Sequence, residues 1–291
     1  MYSDFFKLKV NPFGETPDTR FFFRSQSHVA ALDLVIAAIR ESKGFSLITG
    51  EVGVGKTVLS RVLLNYLQAR TPTALILNPL VSQHDLFTSI REEYKLPPPT
   101  DSSIKAEYDQ LSKFLLDTAT AKKRSVLIID EAQRLSFDGL EEVRLLSNLE
   151  TEERKLLQII LIGQPELKTK LDSFELRQLN QRISAKTDLT PLSESDVETY
   201  IKHRIEIAGG LNFLRFETNA CTLIAGLTYG VPRLINILCE HIVSIAERDK
   251  VRLVDSALIK RMFPAQFTKQ PSRWLKAIHS LRSQIAKGIS P

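Results

Sequence analysis

The octapeptide Gly50-Glu51-Val52-Gly53-Val54-Gly55-Lys56-Thr57 fits the pattern G-x-x-x-x-G-K-[ST] in full. It follows the apolar run Phe45–Thr49 and leads into a helical pattern over Thr57–Ala69, so a strand, a glycine-rich turn and a helix are expected in that order. Physical chemistry requires that context. The glycines let the backbone curl until several N–H groups point inward at a phosphate, and the helix N-terminus adds its partial positive charge. Lys56 is placed to reach the β/γ oxygens and the Thr57 hydroxyl to ligate Mg²⁺. A second element fits the first: Val126–Ile129 is a short apolar run ending in Asp130-Glu131. A strand ending in Asp130 puts a carboxylate beside the Mg²⁺ at the edge where open α/β sheets bind ligands. Glu131 can then polarise the attacking water, which favours hydrolysis over binding alone.

The flanking pattern extends this to a fold. Ala74–Leu77 and Ile159–Ile162 are further short apolar runs bounded by polar or turn residues, and another strand is expected near Ile183–Leu189. Continuous runs of this kind are strands buried on both faces, hence a doubly wound parallel sheet with helices on each side. Helical stretches such as Val29–Arg40 lie between them. After Pro191 the strand signal stops. Ser193 and Asp196 form a capping-box variant opening a helix toward Ile207, ended by Gly209-Gly210. Helical patterns follow at Thr218–Thr228, Pro232–Arg248 and Asp255–Met262, closed by Pro264. The expected division is an α/β nucleotide-binding domain over 1–190, a helical lid over 191–264 and a tail over 265–291.

Charge is distributed unevenly between these parts. Lys and Arg total 39 against 34 Asp and Glu, yet the five bases Lys269, Arg273, Lys276, Arg282 and Lys287 face no acid from Ala265 to Pro291. Residues 1–264 are therefore neutral, and the tail is the part suited to a negative partner. Trp274, Leu275, Ile278, Leu281 and Ile285 form a helical stripe with most of the bases off it. Such a helix can dock on protein, lie on an anionic membrane surface or grip nucleic-acid phosphates. At 43% hydrophobic and 25% charged residues the chain falls outside the disordered and fibrous classes. No apolar run is long enough for a spanning helix, and the N-terminus lacks a signal-peptide pattern. Cys221 and Cys239 sit in apolar helical patterns, so a disulfide or zinc site is not expected and a reducing cytosol is. His28 and His84 are read as helix-start or surface residues, not ligands or bases.

The surrounding motifs then identify a resemblance. Asn11-Pro-Phe13 with Pro17-Asp18 and Phe21-Phe-Phe23, Gly44–Thr57, Asp130-Glu-Ala-Gln133, Arg144–Thr151, Gly163-Gln-Pro-Glu-Leu167, Leu176–Ile183 and Gly230–Asn236 together resemble AAA+ ATPases of the ExeA/GspA group, which includes MshM-like proteins of pilus assembly. The resemblance covers about residues 1–264. It implies ATP with Mg²⁺, held by Gly50 through Thr57, Val58, and the N-terminal loop with Pro12 and Phe13 at the adenine; Thr57 and Asp130 would be the metal ligands. For Phe13 and the Phe21–Phe23 run, the alternative is aromatics sealing the base of a core. With Glu131 as the catalytic carboxylate, Gln164 resembles sensor 1 or is a strand-end polar residue. Arg233 resembles sensor 2 or is a salt-bridged helix start. Arg182 resembles the arginine finger acting on a neighbouring subunit, with Arg177 the other candidate. The family usually has Thr where this chain has Val54, a side chain the phosphate geometry does not require.

The implied function is ATP hydrolysis that drives or regulates assembly of a bacterial secretion system or type IV-like pilus. It would be carried out by a homo-oligomeric ring such as a hexamer, with an envelope-assembly partner protein. The implied location is cytoplasmic, peripheral at the inner membrane if the tail meets lipid. Secretion-type members often continue into a transmembrane segment and a peptidoglycan-binding domain. Here about 27 residues follow the lid, so a cell-wall role of that kind is not expected. The rival reading is a DNA-binding AAA+ regulator of transposition, against which the neutral body argues. A non-hydrolysing nucleotide switch is a third, disfavoured by Glu131.

Overall fold

The computed structural model describes residues 4–79, 83–99, 101, 103–150 and 155–263, so the tail lies outside the described residues. The described residues divide into two compact bodies, one within Gln26–Glu51 and Lys56–Thr190, the other of residues 4–25, Val52–Gly55 and residues 191–263.

The first body alternates helices and strands: α1 (Gln26–Arg40), β1 (Phe45–Gly50), α2 (Lys56–Gln68), β2 (Thr73–Ile76), α3 (Gln83–Glu93), α4 (Ile104–Thr120), β3 (Ser125–Ile129), α5 (Phe137–Leu146), β4 (Leu157–Gly163), α6 (Glu166–Leu171), α7 (Arg177–Arg182) and β5 (Ile183–Leu189). The five strands form one parallel sheet in the order β2-β3-β4-β1-β5. Every residue of β1 through β4 is buried, which is why these strands read as unbroken apolar runs. Alternate side chains serve opposite faces. Phe45, Leu47, Ala74, Ile76, Leu127, Ile129, Ile159 and Leu161 share one core with Phe87 and Ile90 of α3, Leu111 and Leu115 of α4, and Leu140 and Val143 of α5. α1 packs beside β1 and β5, and α2 beside β2 and β4.

β5 differs from the rest. It alternates buried Ile183, Ala185 and Leu189 with exposed Ser184 and Lys186, as an edge strand covered on one face does. β3, β4 and β1 are neighbours, so the chain segments that leave their carboxyl ends (Asp130-Glu131, Gln164 and the loop from Gly50) emerge side by side. His28 lies in the first turn of α1 as expected, but it is buried and not a surface residue.

The second body contains α8 (Glu194–Ile207), β6 (Arg215–Phe216), α9 (Thr218–Thr228), α10 (Pro232–Arg248), β7 (Leu253–Val254) and α11 (Ser256–Met262). Ser193 caps α8, its Oγ accepting from the Asp196 amide at 3.1 Å. Pro232 stands at the first turn of α10, where its missing N–H leaves nothing unsatisfied. The expectation of an all-helical segment needs one correction: β6 and β7 pair in parallel over two residues. The core joins Val197, Ile201 and Ile205 to Ile224, Ile235, Ile242 and Ile259, and it includes Phe6 and Phe13 from the N-terminal segment. Both cysteines are free and buried, and burial pushes the Cys221 thiol up to about 12.

Candidate active site

In the first body, Lys56 opens α2 and is almost fully buried. Its Nζ donates to the Gly50 carbonyl at 2.8 Å and to the Glu51 carbonyl at 2.9 Å. Burial pulls the ammonium pKa down, and the charges of Glu131, Asp130 and Glu51 work against that shift. Asp130 is fully buried. Its Oδ2 accepts from Ser60 Oγ at 3.2 Å and its Oδ1 from the Glu131 amide at 2.9 Å, and the Thr57 side chain also bonds the carboxylate. Desolvation nevertheless raises its pKa above the usual carboxylate range. Acid and base lie close enough to feel each other, yet the ammonium rests on backbone carbonyls and forms no ion pair with any described residue.

Glu131 sits in left-handed backbone with φ 55°, a conformation that costs a non-glycine residue on the order of 1 kcal/mol. The chain then runs through a short 3-10 turn, Ala132–Arg134. Glu131 Oε2 accepts from Gln133 Nε2 at 2.7 Å and from Gln164 Nε2 at 3.5 Å. The Gln164 amide in turn donates to Gln133 Oε1 at 3.1 Å. The hydrogen bonds therefore group Lys56 with Gly50 and Glu51, Thr57 with Asp130, and Glu131 with Gln164. Val58 occupies the first turn of α2. Arg182 is not brought to this cluster. Its Nη1 donates to Ser147 Oγ at 2.8 Å and Asn148 Oδ1 at 2.6 Å, beyond the end of α5. Arg177 is exposed, with its guanidinium 4.2 Å over the ring of Phe174.

The remaining candidates lie in the second body. Gly53 and Gly55 have φ +85° and +106°. Gly53 is doubly constrained, because a Cβ there would also meet Arg233 Cβ at 2.8 Å. The Arg233 amide donates to the Gly53 carbonyl at 3.2 Å, and its guanidinium pairs with Glu15 at 3.1 Å. Val52 belongs to the same segment, and Val54 is fully buried. Pro12 is buried and its carbonyl accepts from Arg204 Nε. Phe13 is wholly buried, edge-on to Phe216 with centroids 6.3 Å apart.

Gln133, Ser60 and Glu15 went unassigned in the sequence. The Asp130-Glu-Ala-Gln133 motif carried a signal for the first. The partners of Ser60 and Glu15 lie 70 and 218 residues away, beyond any local pattern.

The donor set suits a hard divalent cation. Among the described residues no group of three or more His, Cys, Asp or Glu could hold a metal. A buried carboxylate with a neighbouring hydroxyl is instead the sparse oxygen set that Mg²⁺ uses when phosphates supply the rest.

The sequence matches the AAA domain family over residues 39–171. Residues 39–171 are an AAA domain. The chain is 44% identical over 241 residues to General secretion pathway protein A of Aeromonas hydrophila, an alignment covering 83% of this chain and 44% of that protein. The chain thus spans less than half the length of this relative. Among solved structures, the Aeropyrum pernix ORC2 protein superposes with TM-score 0.65 at 15% identity, covering 86% of this chain and 70% of the other. The Thermotoga maritima RuvB branch migration motor gives TM-score 0.52 at 18% identity over 83% and 69%. These likenesses concern fold alone. Among the described residues, no helix of the AAA domain or of the second body is long and apolar enough to cross a membrane.

Proposed function

We propose that this AAA protein hydrolyses ATP to drive or regulate assembly of a bacterial secretion system or type IV-like pilus. The observation that carries the hydrolysis reading is the convergence of Lys56, Thr57, Asp130 and Glu131 past the carboxyl ends of β1 and β3, the two strands that flank β4. The similarity to General secretion pathway protein A supports the envelope role.

In this reading the backbone of Gly50–Gly55 cradles the phosphates and the Lys56 ammonium exchanges its two carbonyl partners for β/γ oxygens. Thr57 and Asp130 would hold Mg²⁺, which when bound would neutralise phosphate charge. Glu131 accepts the proton of a water attacking the γ-phosphorus, while the β–γ bridging bond breaks and its electron pair leaves with ADP. Gln164 orients that water. Arg233, freed from Glu15, and Arg182 from a neighbouring subunit stabilise charge on the transferring group. Residues 191–264 act as the lid, and Pro12 and Phe13 belong to the adenine loop. Function follows from a ring, such as a hexamer, working at the inner membrane with an envelope-assembly partner. The basic tail would meet an anionic surface.

Steady-state ATPase measurements on the full chain test this. Glu131→Gln should lower turnover by roughly 10²–10³-fold while leaving nucleotide binding intact, the range expected on losing a general base. Turnover equal to wild type in that variant would sink the assignment. Sizing chromatography with a hydrolysis-resistant nucleotide should give a ring. A monomer whose Arg182→Ala variant keeps full activity would remove the trans mechanism. Stimulation by duplex DNA in place of anionic liposomes would transfer the chain to the transposition-regulator class.

A further inference from the structure

We infer that Gln133 is a positioning residue for hydrolysis, a clamp that fixes the Glu131 carboxylate against the sensor-1 segment at Gln164. The inference rests on the reading of Glu131 as the base.

Glu131 is half-exposed at a strand end, on a long side chain that turns freely unless something holds it. Gln133 supplies the hold with both ends of its amide. Nε2 donates to Glu131 Oε2 at 2.7 Å, and Oε1 accepts from the Gln164 backbone N–H at 3.1 Å. The amide can point only one way. A carboxylate only accepts and a peptide N–H only donates, so exchanging O and N would break both bonds. One side chain therefore ties Glu131, two residues past β3, to Gln164, the residue after β4.

The clamp is itself anchored. Lys170 Nζ donates to the Gln133 carbonyl at 2.9 Å and to the Leu135 carbonyl at 2.7 Å, pinning the 3-10 turn from α6. The Lys170 ammonium also lies 5.6 Å from the Phe137 ring centroid. Room for the amide comes from Gly163, where a Cβ would stand 2.9 Å from Gln133 Oε1 and 2.7 Å from Leu167 Cδ2. Backbone anchor, side-chain bonds and a missing methyl group all converge on one amide. A surface glutamine has none of these.

Hydrolysis needs the base within hydrogen-bond reach of the attacking water, and misplacement of about 1 Å can cost on the order of 10²-fold in rate. ATP binding, by contrast, draws on the loop from Gly50 and on Lys56, which Gln133 does not bond. The two parameters should therefore separate. In Gln133→Met, which keeps the length and removes both hydrogen bonds, kcat should fall about 10–100-fold. KM for ATP, the Kd of a fluorescent ATP analogue and the melting temperature should stay at their wild-type values. Gln133→Glu, which sets a second carboxylate against Glu131, should lose at least as much kcat and asks the same question if the methionine variant does not fold. Wild-type kcat in a folded Gln133 variant, or a kcat loss matched by an equal loss of nucleotide affinity, overturns the clamp. Glu131→Gln measured alongside separates the two failures. If it is inactive while Gln133→Met is fully active, only the clamp is wrong; if it turns over normally, the reading beneath the clamp falls as well.

Discussion

Asp130, just past the end of β3, and Arg204, in the last turn of α8, are both buried charged side chains with no ion-pair partner among the described residues, and their surroundings treat that charge differently. Arg204 is fully furnished: its guanidinium bonds the Pro12 and Gly14 carbonyls and the Tyr200 hydroxyl, and it faces the Phe21 ring at 4.6 Å. Tyr200 passes the network on to Asn236 at 2.9 Å. Asp130 has hydroxyl and amide donors, yet burial still outweighs them and lifts its pKa. For Lys56, nearby in the same body, burial moves the pKa the opposite way, down, so that both groups are pushed toward their neutral forms. One body completes its buried charge with its own backbone, as a structural site does. The other leaves opposite charges desolvated and apart, as a site completed by a ligand does.

Asp130→Asn probes that contrast most strongly. Turnover should fall a hundredfold or more, on the order of the several kcal/mol a bound metal ion supplies. The nucleotide-free chain should nonetheless melt higher than wild type, because a neutral amide escapes the desolvation penalty. A lower melting temperature would show that the carboxylate is a structural charge after all. Arg204→Met should do the reverse, destabilising the chain by about 3 kcal/mol in urea unfolding by stranding the Pro12 and Gly14 carbonyls. A loss below about 0.5 kcal/mol, the level of an ordinary surface change, would reduce Arg204 to a bystander. The smallest effect belongs to His203, which packs 5.8 Å from Phe23 and whose pKa burial holds below the ordinary value. The unfolded chain takes up a proton first as pH drops through about 6.5, so stability is full above that pH and declines below it. His203→Gln should flatten this acid limb, and an unchanged limb would place the titration elsewhere.

The sheet was largely open to sequence reading because strands covered on both faces must be apolar throughout, and Phe45–Gly50, Ser125–Ile129 and Leu157–Gly163 are buried end to end. The glycine-rich loop and Asp130-Glu131 stood out because the chemistry proposed for them needs adjacent residues. Contacts between distant polar residues left no such trace. Gln133 meets Gln164 across 31 positions, and Arg204, placed in a helix of mixed polarity, reaches Pro12 across 192. The β6–β7 pair is two residues long on each side, too short for an alternation to register. Phe13 was left between adenine and core, and burial places its ring in the core of the second body.

The strand order also sets a timetable for synthesis. β1 is flanked by β4 and β5, so it has no neighbour until residue 157 and beyond has been made. About 100 residues separate it from that first partner, which at ribosomal speed is roughly 5–20 s. β2 and β3 can zip together earlier, being nearer in the chain, but they cannot shelter β1. During that interval Phe45–Gly50 is a bare, apolar strand with both edges unpaired, the form most prone to join a neighbouring chain. The segment that feeds the phosphate loop is thus the one the nascent protein most needs a chaperone to guard.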